Sequence, residues 1–271
     1  MSWVTPPALW LVFGVAVSAS AAPSTAPEIS AAWELVARHL PGDALARLKK
    51  TPAADDREAA FARAVIRMDS QAVANEPLRE VAGEFLDLAR GADEIAQASA
   101  YLAGRLYQVH FFEPDCARAA EIYQHLASRH PESDWAQLAL VKLALLKLYV
   151  LPEPAKPAER VAAAETLLAR LTLPELRRDL HLAIGRARLF HGLPGALPHL
   201  LAAAEAGGLE GVPRSDLQVQ IGELSRRGGD FGQARIYFGR FLAENDVDPR
   251  GFAVRERLRE MAEAGEAGAA R

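Results

Sequence analysis

The chain has 271 residues, of which 50% are hydrophobic and 24% charged, the make-up of a folded protein rather than a disordered tail or a collagen-like fibre. Its 31 Lys plus Arg against 35 Asp plus Glu leave a formal charge of −4, so there is no basic balance to neutralise phosphates and nucleic acid is not an expected partner. The single cysteine, Cys116, can close no intramolecular disulfide and has no second thiol for a zinc site, while the 7% aromatic content and the abundance of Ala and Leu predict an all-α protein.

The first predicted element is an export signal. No side chain from Met1 to Pro27 is charged, and the apolar run Ala8 to Val17 is followed by the small residues Ser18 to Ala22. That order predicts a signal peptide over 1–21, cleaved after Ala21, although no Lys or Arg precedes the apolar run. Ala8 to Ala22 is shorter than the roughly 20 apolar residues needed to cross a bilayer, so no integral membrane span is expected after cleavage. The Ala- and Arg-rich style of the chain then points to a bacterial periplasm or cell envelope.

Downstream, the pattern is one of helix pairs. Trp33, Val36, Ala37 and Leu40 before Ala44 and Leu48 form one degenerate unit, and Phe61, Ala64 and Arg67 before Ala82, Leu86 and Ala89 another. Gly104 and Tyr107 open a sharper unit that continues through Ala119, Tyr123, Leu126 and Pro131. In the next, Trp135, Leu138, Ala139 and Lys142 precede Ala164, Leu168 and Leu171, and Pro152, Pro154 and Pro157 lengthen the turn between them. Ile184-Gly185 and Gly192 lead to Leu197, Leu201 and Ala204, and Ile221-Gly222, Ser225 and Gly229 lead to Ala234, Phe238 and Phe241. Arg250 to Ala264 is amphipathic, as expected of a helix that caps an open stack, and Glu266 to Arg271 is expected to fray.

These spacings resemble the tetratricopeptide repeat, in which small residues let two antiparallel helices approach and an aromatic fills the space beside them. Gly104, Ala139, Gly185 and Gly222 stand 35, 46 and 37 residues apart, so the units are irregular and somewhat longer than the family's 34. The resemblance implies an all-α fold, an α-α solenoid of tetratricopeptide-like helix pairs with a C-terminal capping helix. On this reading 22–97 holds degenerate N-terminal repeats, 98–249 the tetratricopeptide-like repeats, and 250–271 the capping helix and tail. The Pro-rich stretch could alternatively be a linker between two helical halves. The helix expected from Asp134 to Leu151 is apolar on nearly every side except Lys142 and Lys147, which reads as central core in preference to a dimer contact.

The same resemblance implies that the first helix of each pair lines a concave groove that reads a protein or peptide. In the family's register the groove positions are Tyr101 and Arg105, Leu140 and Leu143, Leu182 and Arg186, then Val219, Glu223 and Arg226. Arg can grip a carboxylate while Tyr and Leu cover apolar side chains, so an extended peptide or partner helix with an acidic group fits this set. The alternative for the arginines is a solvated face, or pairing with Glu223 and its neighbours. The chain departs from the family's Lys and Asn carboxylate clamp, because Leu182, Arg186, Val219 and Glu223 occupy the equivalent positions.

Catalytic chemistry has no motif here. The seven histidines form no metal-ligand spacing; His125 and His130 fall on different helical faces, and His110, His181, His191 and His199 read as solvated residues near helix ends and turns. Asp246 to Gly251 begins like a calcium loop but has Arg250 at its fifth position and Arg257 where the bidentate Glu belongs. Gly228, Gly229 and Gly232 lack the strand and the Gly-Lys-Ser/Thr of a phosphate loop. No metal and no cofactor are expected. The sequence therefore points to a non-catalytic adaptor or scaffold that binds a protein or peptide. Self-association as a homo-oligomeric structural component is the first alternative, and a ligand-binding or catalytic role on a helical scaffold the second.

Overall fold

A computed structural model describes residues 27–49, 56–70 and 74–269, with side chains described as far as Glu263 in the last helix. The predicted signal peptide and its cleavage site lie outside these residues. Among the described residues the chain forms thirteen α-helices and no strand, and it divides into two compact units, 1–72 and 73–271.

In the first unit α1 (Pro27–Ala37), α2 (Pro41–Leu48) and α3 (Arg57–Asp69) bury Ile29 and Ala32 against Ala44, Leu48, Ala59, Ala62 and Ile66. Local chemistry sets the boundaries. Pro41 opens α2, where its missing N–H costs nothing, and the Asp56 carboxylate caps α3 by accepting from the Glu58 and Ala59 amides at 3.0 and 3.3 Å.

The second unit comprises α4 (Asn75–Leu88), α5 (Glu94–Arg105), a single π turn (Leu106–His110) that continues α5, and α6 (Cys116–Arg129). It goes on through α7 (Asp134–Tyr149), α8 (Pro157–Leu168), α9 (Pro174–Phe190), α10 (Ala196–Ala206), α11 (Gly211–Arg227), α12 (Phe231–Glu244) and α13 (Arg250–Ala269). Each helix packs on the next, and α7 also lies against α5 on one side and α9 on the other. That sequential stacking is an α-α solenoid of helix pairs. Asp93, Asp115, Ser133 and Asp230 cap α5, α6, α7 and α12 by accepting amide hydrogens three residues on at 2.9 to 3.2 Å. Between α11 and α12 the chain turns at Gly229, whose φ of +81° is strained for any residue with a Cβ.

The small residues act where the repeat pattern placed them. Gly104 sits against the Tyr123 ring, Gly185 against Leu200, and Gly222 against the Phe238 ring, all within pairs of antiparallel helices. A Cβ added to Gly222 would lie 2.5 Å from Phe238 Cδ1. Ala139, the corresponding residue of α7, is fully buried.

The largest core runs from α5 to α9, and α7 supplies Ala136, Leu140, Leu143, Ala144 and Leu146 to it. The helix that is apolar on every side is thus the centre of the stack, as its composition predicts. Residues Leu151 to Lys156 form a turn inside this stack and not a linker, because α8 returns against α7 and the core passes without a break to Leu180 and Ile184 of α9. Two further clusters follow, one joining Leu182 and Leu200 to Leu217, Ile221 and Tyr237, the other joining Phe238 and Phe241 to Val254 and Met261 of α13. Helix α13 runs to Ala269, beyond the fraying expected from Glu266, in keeping with the helix propensity of its Ala and Glu residues.

Candidate functional site

The first helices α5, α7 and α9 lie side by side and leave one face of each incompletely covered. On α5 this face carries Leu102 and Arg105; on α7 it carries Leu138, Lys142, Leu145 and Tyr149 at spacings of three and four; on α9, Asp179, Ala183, Arg186 and Phe190. Contacts across the helices show that the three stripes form one surface. Lys142 stands within electrostatic reach of Arg105 on one side and Asp179 on the other. The Tyr149 hydroxyl donates to the Ala183 carbonyl at 3.0 Å, and Tyr149 also feels the Arg186 charge.

The electrostatics of this face centre on Lys142. Partial burial in the apolar stack, with Arg105 beside it, pushes its ammonium down to about 8, and Asp179 offsets only part of that. Burial in turn raises the Asp179 carboxyl, against the opposing effect of Arg178, whose Nε donates to Asp179 Oδ1 at 2.8 Å. Arg178 also reaches the Gly207 carbonyl at 3.2 Å. Among the described residues neither Arg105 nor Arg186 forms an ion pair with a carboxylate. The face therefore carries three cations, one carboxylate already held by Arg178, and an apolar floor that ends in Tyr149 and the 80% exposed Phe190.

The groove expected from the sequence and this face overlap only in part. Arg105 and Arg186 lie on it. Leu140 and Leu143 are 1% exposed and Tyr101 and Leu182 are 7% exposed, all built into the cores, so none of the four offers a floor to a partner. On α7 the accessible stripe falls two residues further along, at Lys142 and Leu145. The physical reason is that a helix apolar on all sides carries no periodic signal to fix its phase. Its lone mid-helix charge, Lys142, is the signal that could have fixed it.

The last third of the expected groove is occupied by the chain itself. Val219 packs into the cluster of Val254 and Met261, and Glu223 accepts from Arg226 at 3.1 Å and from Arg257 of α13 at 3.3 Å. Arg250 of α13 bonds Asp216, Asp248 and the Ser215 hydroxyl. Val219 and Glu223 thus serve the joint between α11 and α13, and Arg226 pairs with Glu223 within α11. For Arg226 the pairing alternative describes what is observed.

Two histidines also depart from expectation. His181 and His199 are part-buried within α9 and α10, with their Nδ1 atoms 3.0 Å apart. His199 Nε2 lies 3.1 Å from Glu165 Oε1 of α8, and Arg188 of α9 donates to the same oxygen. The sequence separates these residues by 18 and 34 positions, so no local spacing could have joined them. Among the described residues no group of three or more His, Cys, Asp or Glu side chains is placed to hold a metal ion. No described helix is long and apolar enough to cross a membrane.

The fold is that of a tetratricopeptide-like helical repeat: paired antiparallel helices, small residues at their crossings, and sequential stacking with a terminal helix. No protein-family model matches the sequence and no curated protein matches it. Among solved structures it is similar to PilF of Pseudomonas aeruginosa, at 15% identity over 88% of this chain and 96% of that one, with a TM-score of 0.51. It is also similar to a Sel1 repeat protein from Oxalobacter formigenes, at 14% identity over 80% and 84% of the two chains, with a TM-score of 0.49. At 15% identity the likeness to PilF is one of fold.

Proposed function

We propose that the protein is a non-catalytic adaptor that binds a segment of a protein partner along the shared face of α5, α7 and α9. The observation that carries this reading is that face itself: Arg105, Lys142 and Arg186 rise from a floor of Leu138, Leu145, Tyr149 and Phe190 on three adjacent helices. An extended or helical segment with apolar side chains and a carboxylate is complementary to it, since apolar burial supplies affinity and the cations supply orientation. The signal-peptide pattern of Ala8 to Ala22 supports a place in the bacterial envelope for this adaptor.

The test is capture from envelope extract on immobilised residues 22–271, with wild type compared with Arg105→Glu/Arg186→Glu. Arg226 is left unchanged because it pairs with Glu223 on its own helix. Proteins retained by wild type should be lost, by tenfold or more, from a double variant of unchanged helicity; equal retention would remove the face from the account. Self-association is the second reading, favoured by Phe112 and Phe190 at 71% and 80% exposure near the ends of the first helices α5 and α9. It requires a mass that rises with concentration and falls back on Phe190→Ser.

A further inference from the structure

The polar chain through α8, α9 and α10 lies apart from the proposed binding face, and its geometry has a chemical requirement of its own. An imidazole nitrogen donates when it carries a proton and accepts when it does not. The contact between His181 and His199 joins Nδ1 to Nδ1 at 3.0 Å, so it is a hydrogen bond only while one of those two atoms is protonated. On the far side of His199, Nε2 faces Glu165 Oε1 at 3.1 Å and must donate to it. With His199 neutral, its Nδ1 accepts from the Nδ1–H of His181. With His199 as an imidazolium, its Nδ1–H donates to a neutral His181 carrying its proton on Nε2. The pair can therefore hold no positive charge or one, but not two, without losing the bond.

The surrounding charges oppose a second proton. Facing the pair are Glu165 from α8, whose carboxylate His199 shares with Arg188 of α9, and Arg177, one turn before His181 on α9. From α7, Lys142 acts on Asp179. On α11, Asp216 and Glu223 turn to Arg250 and Arg257 of α13. Burial, with His199 and Arg177 beside it, holds the His181 imidazole below its usual range. The unfolded chain therefore takes up this proton at a higher pH than the folded one, and the stability given by the contact is lost as pH falls below about 6.5.

We propose that the His181–His199 contact is a proton-operated lock between α9 and α10, closed at neutral pH and released by a second protonation in mild acid. Because α9 also carries Asp179, Arg186 and Phe190 on its other side, release loosens the helix that presents them. The lock stands whether or not that face binds a partner.

The experiment is an imidazole nitrogen NMR titration of the full mature chain from pH 8 to pH 5, with backbone hydrogen exchange at the two ends of the range. Two histidines should titrate in separate steps, the later one below an exposed histidine. Protection in α9 and α10, corrected for intrinsic exchange, should fall about tenfold with the second step, while α5 and α6 stay unchanged. In His181→Gln the second step and the loss of protection should both vanish. Should that variant fail to fold, the wild-type titration decides alone. Two histidines titrating together near the ordinary value, or protection falling equally throughout the stack, would overturn the lock.

Discussion

Gly222 and Gly239 have the same residue type and opposite surroundings. Gly222 faces the buried Phe238 ring at 2.5 Å from the place of a Cβ, whereas nothing lies within 4 Å of that place at Gly239, which is exposed on α12. Gly239→Ala should stabilise the protein by up to about 1 kcal/mol through helix propensity. Gly222→Ala should forfeit that gain and destabilise by about 1–3 kcal/mol, because an overpacked ring in a full core has nowhere to go. Urea unfolding of both variants checks the opposite signs. Lys142 gives a second residue-scale prediction with a defined pH window. Its ammonium titrates at about 8 in the folded chain against 10.5 when exposed, so between those values the unfolded chain holds a proton that the folded one has shed. Stability contributed at this residue therefore rises with pH across the window and is lowest below it. Lys142→Met should stabilise the protein at pH 7 by on the order of 1–3 kcal/mol. That advantage over wild type should shrink from pH 8 to pH 10.5; stability curves that run parallel across the window would show that Lys142 is not desolvated.

The helix pairs are held together by polar joints as well as by apolar cores. Gln137, only 2% exposed in α7, accepts from the Thr172 amide at 2.7 Å and donates to the carbonyls of Pro131 and Arg170, tying α7 to the segments that follow α6 and α8. Gln137→Ala strands a buried amide and should cost about 1–3 kcal/mol, read as a lower urea midpoint with an unchanged slope. Such a joint is hard to find in a sequence, since a glutamine in an apolar helix carries no label for partners 33 to 35 residues away. The pairs themselves are legible. Gly104 stands 19 residues before Tyr123 and Gly222 16 before Phe238, each a small residue at the crossing of two helices joined by a short turn, and that constraint is local. The phase of α7 is not legible, for the apolar surroundings that bury it erase its periodicity, and so the family's register points to Leu140 and Leu143 where Lys142 and Leu145 stand. Nor is the pairing of Glu223 with Arg257, which depends on how closely α13 lies beside α11.

At the scale of the molecule, the helices of the second unit pack each on the next and leave a mixed apolar and cationic face on α5, α7 and α9. The far end of that row is closed by α13, whose Arg250 and Arg257 bind Asp216 and Glu223 of α11. The candidate site is accordingly shorter than the full run of repeats and has Lys142 near its middle. A site-specific photo-crosslinker tests whether this face meets a partner. Benzoylphenylalanine in place of Leu145 or Tyr149 probes it, and the same group in place of Ile236, 53% exposed on α12, serves as the control. Irradiation of intact cells should give a discrete heavier adduct from Leu145 and Tyr149 and none from Ile236. Adducts from Ile236 with none from the two α7 positions would contradict the account.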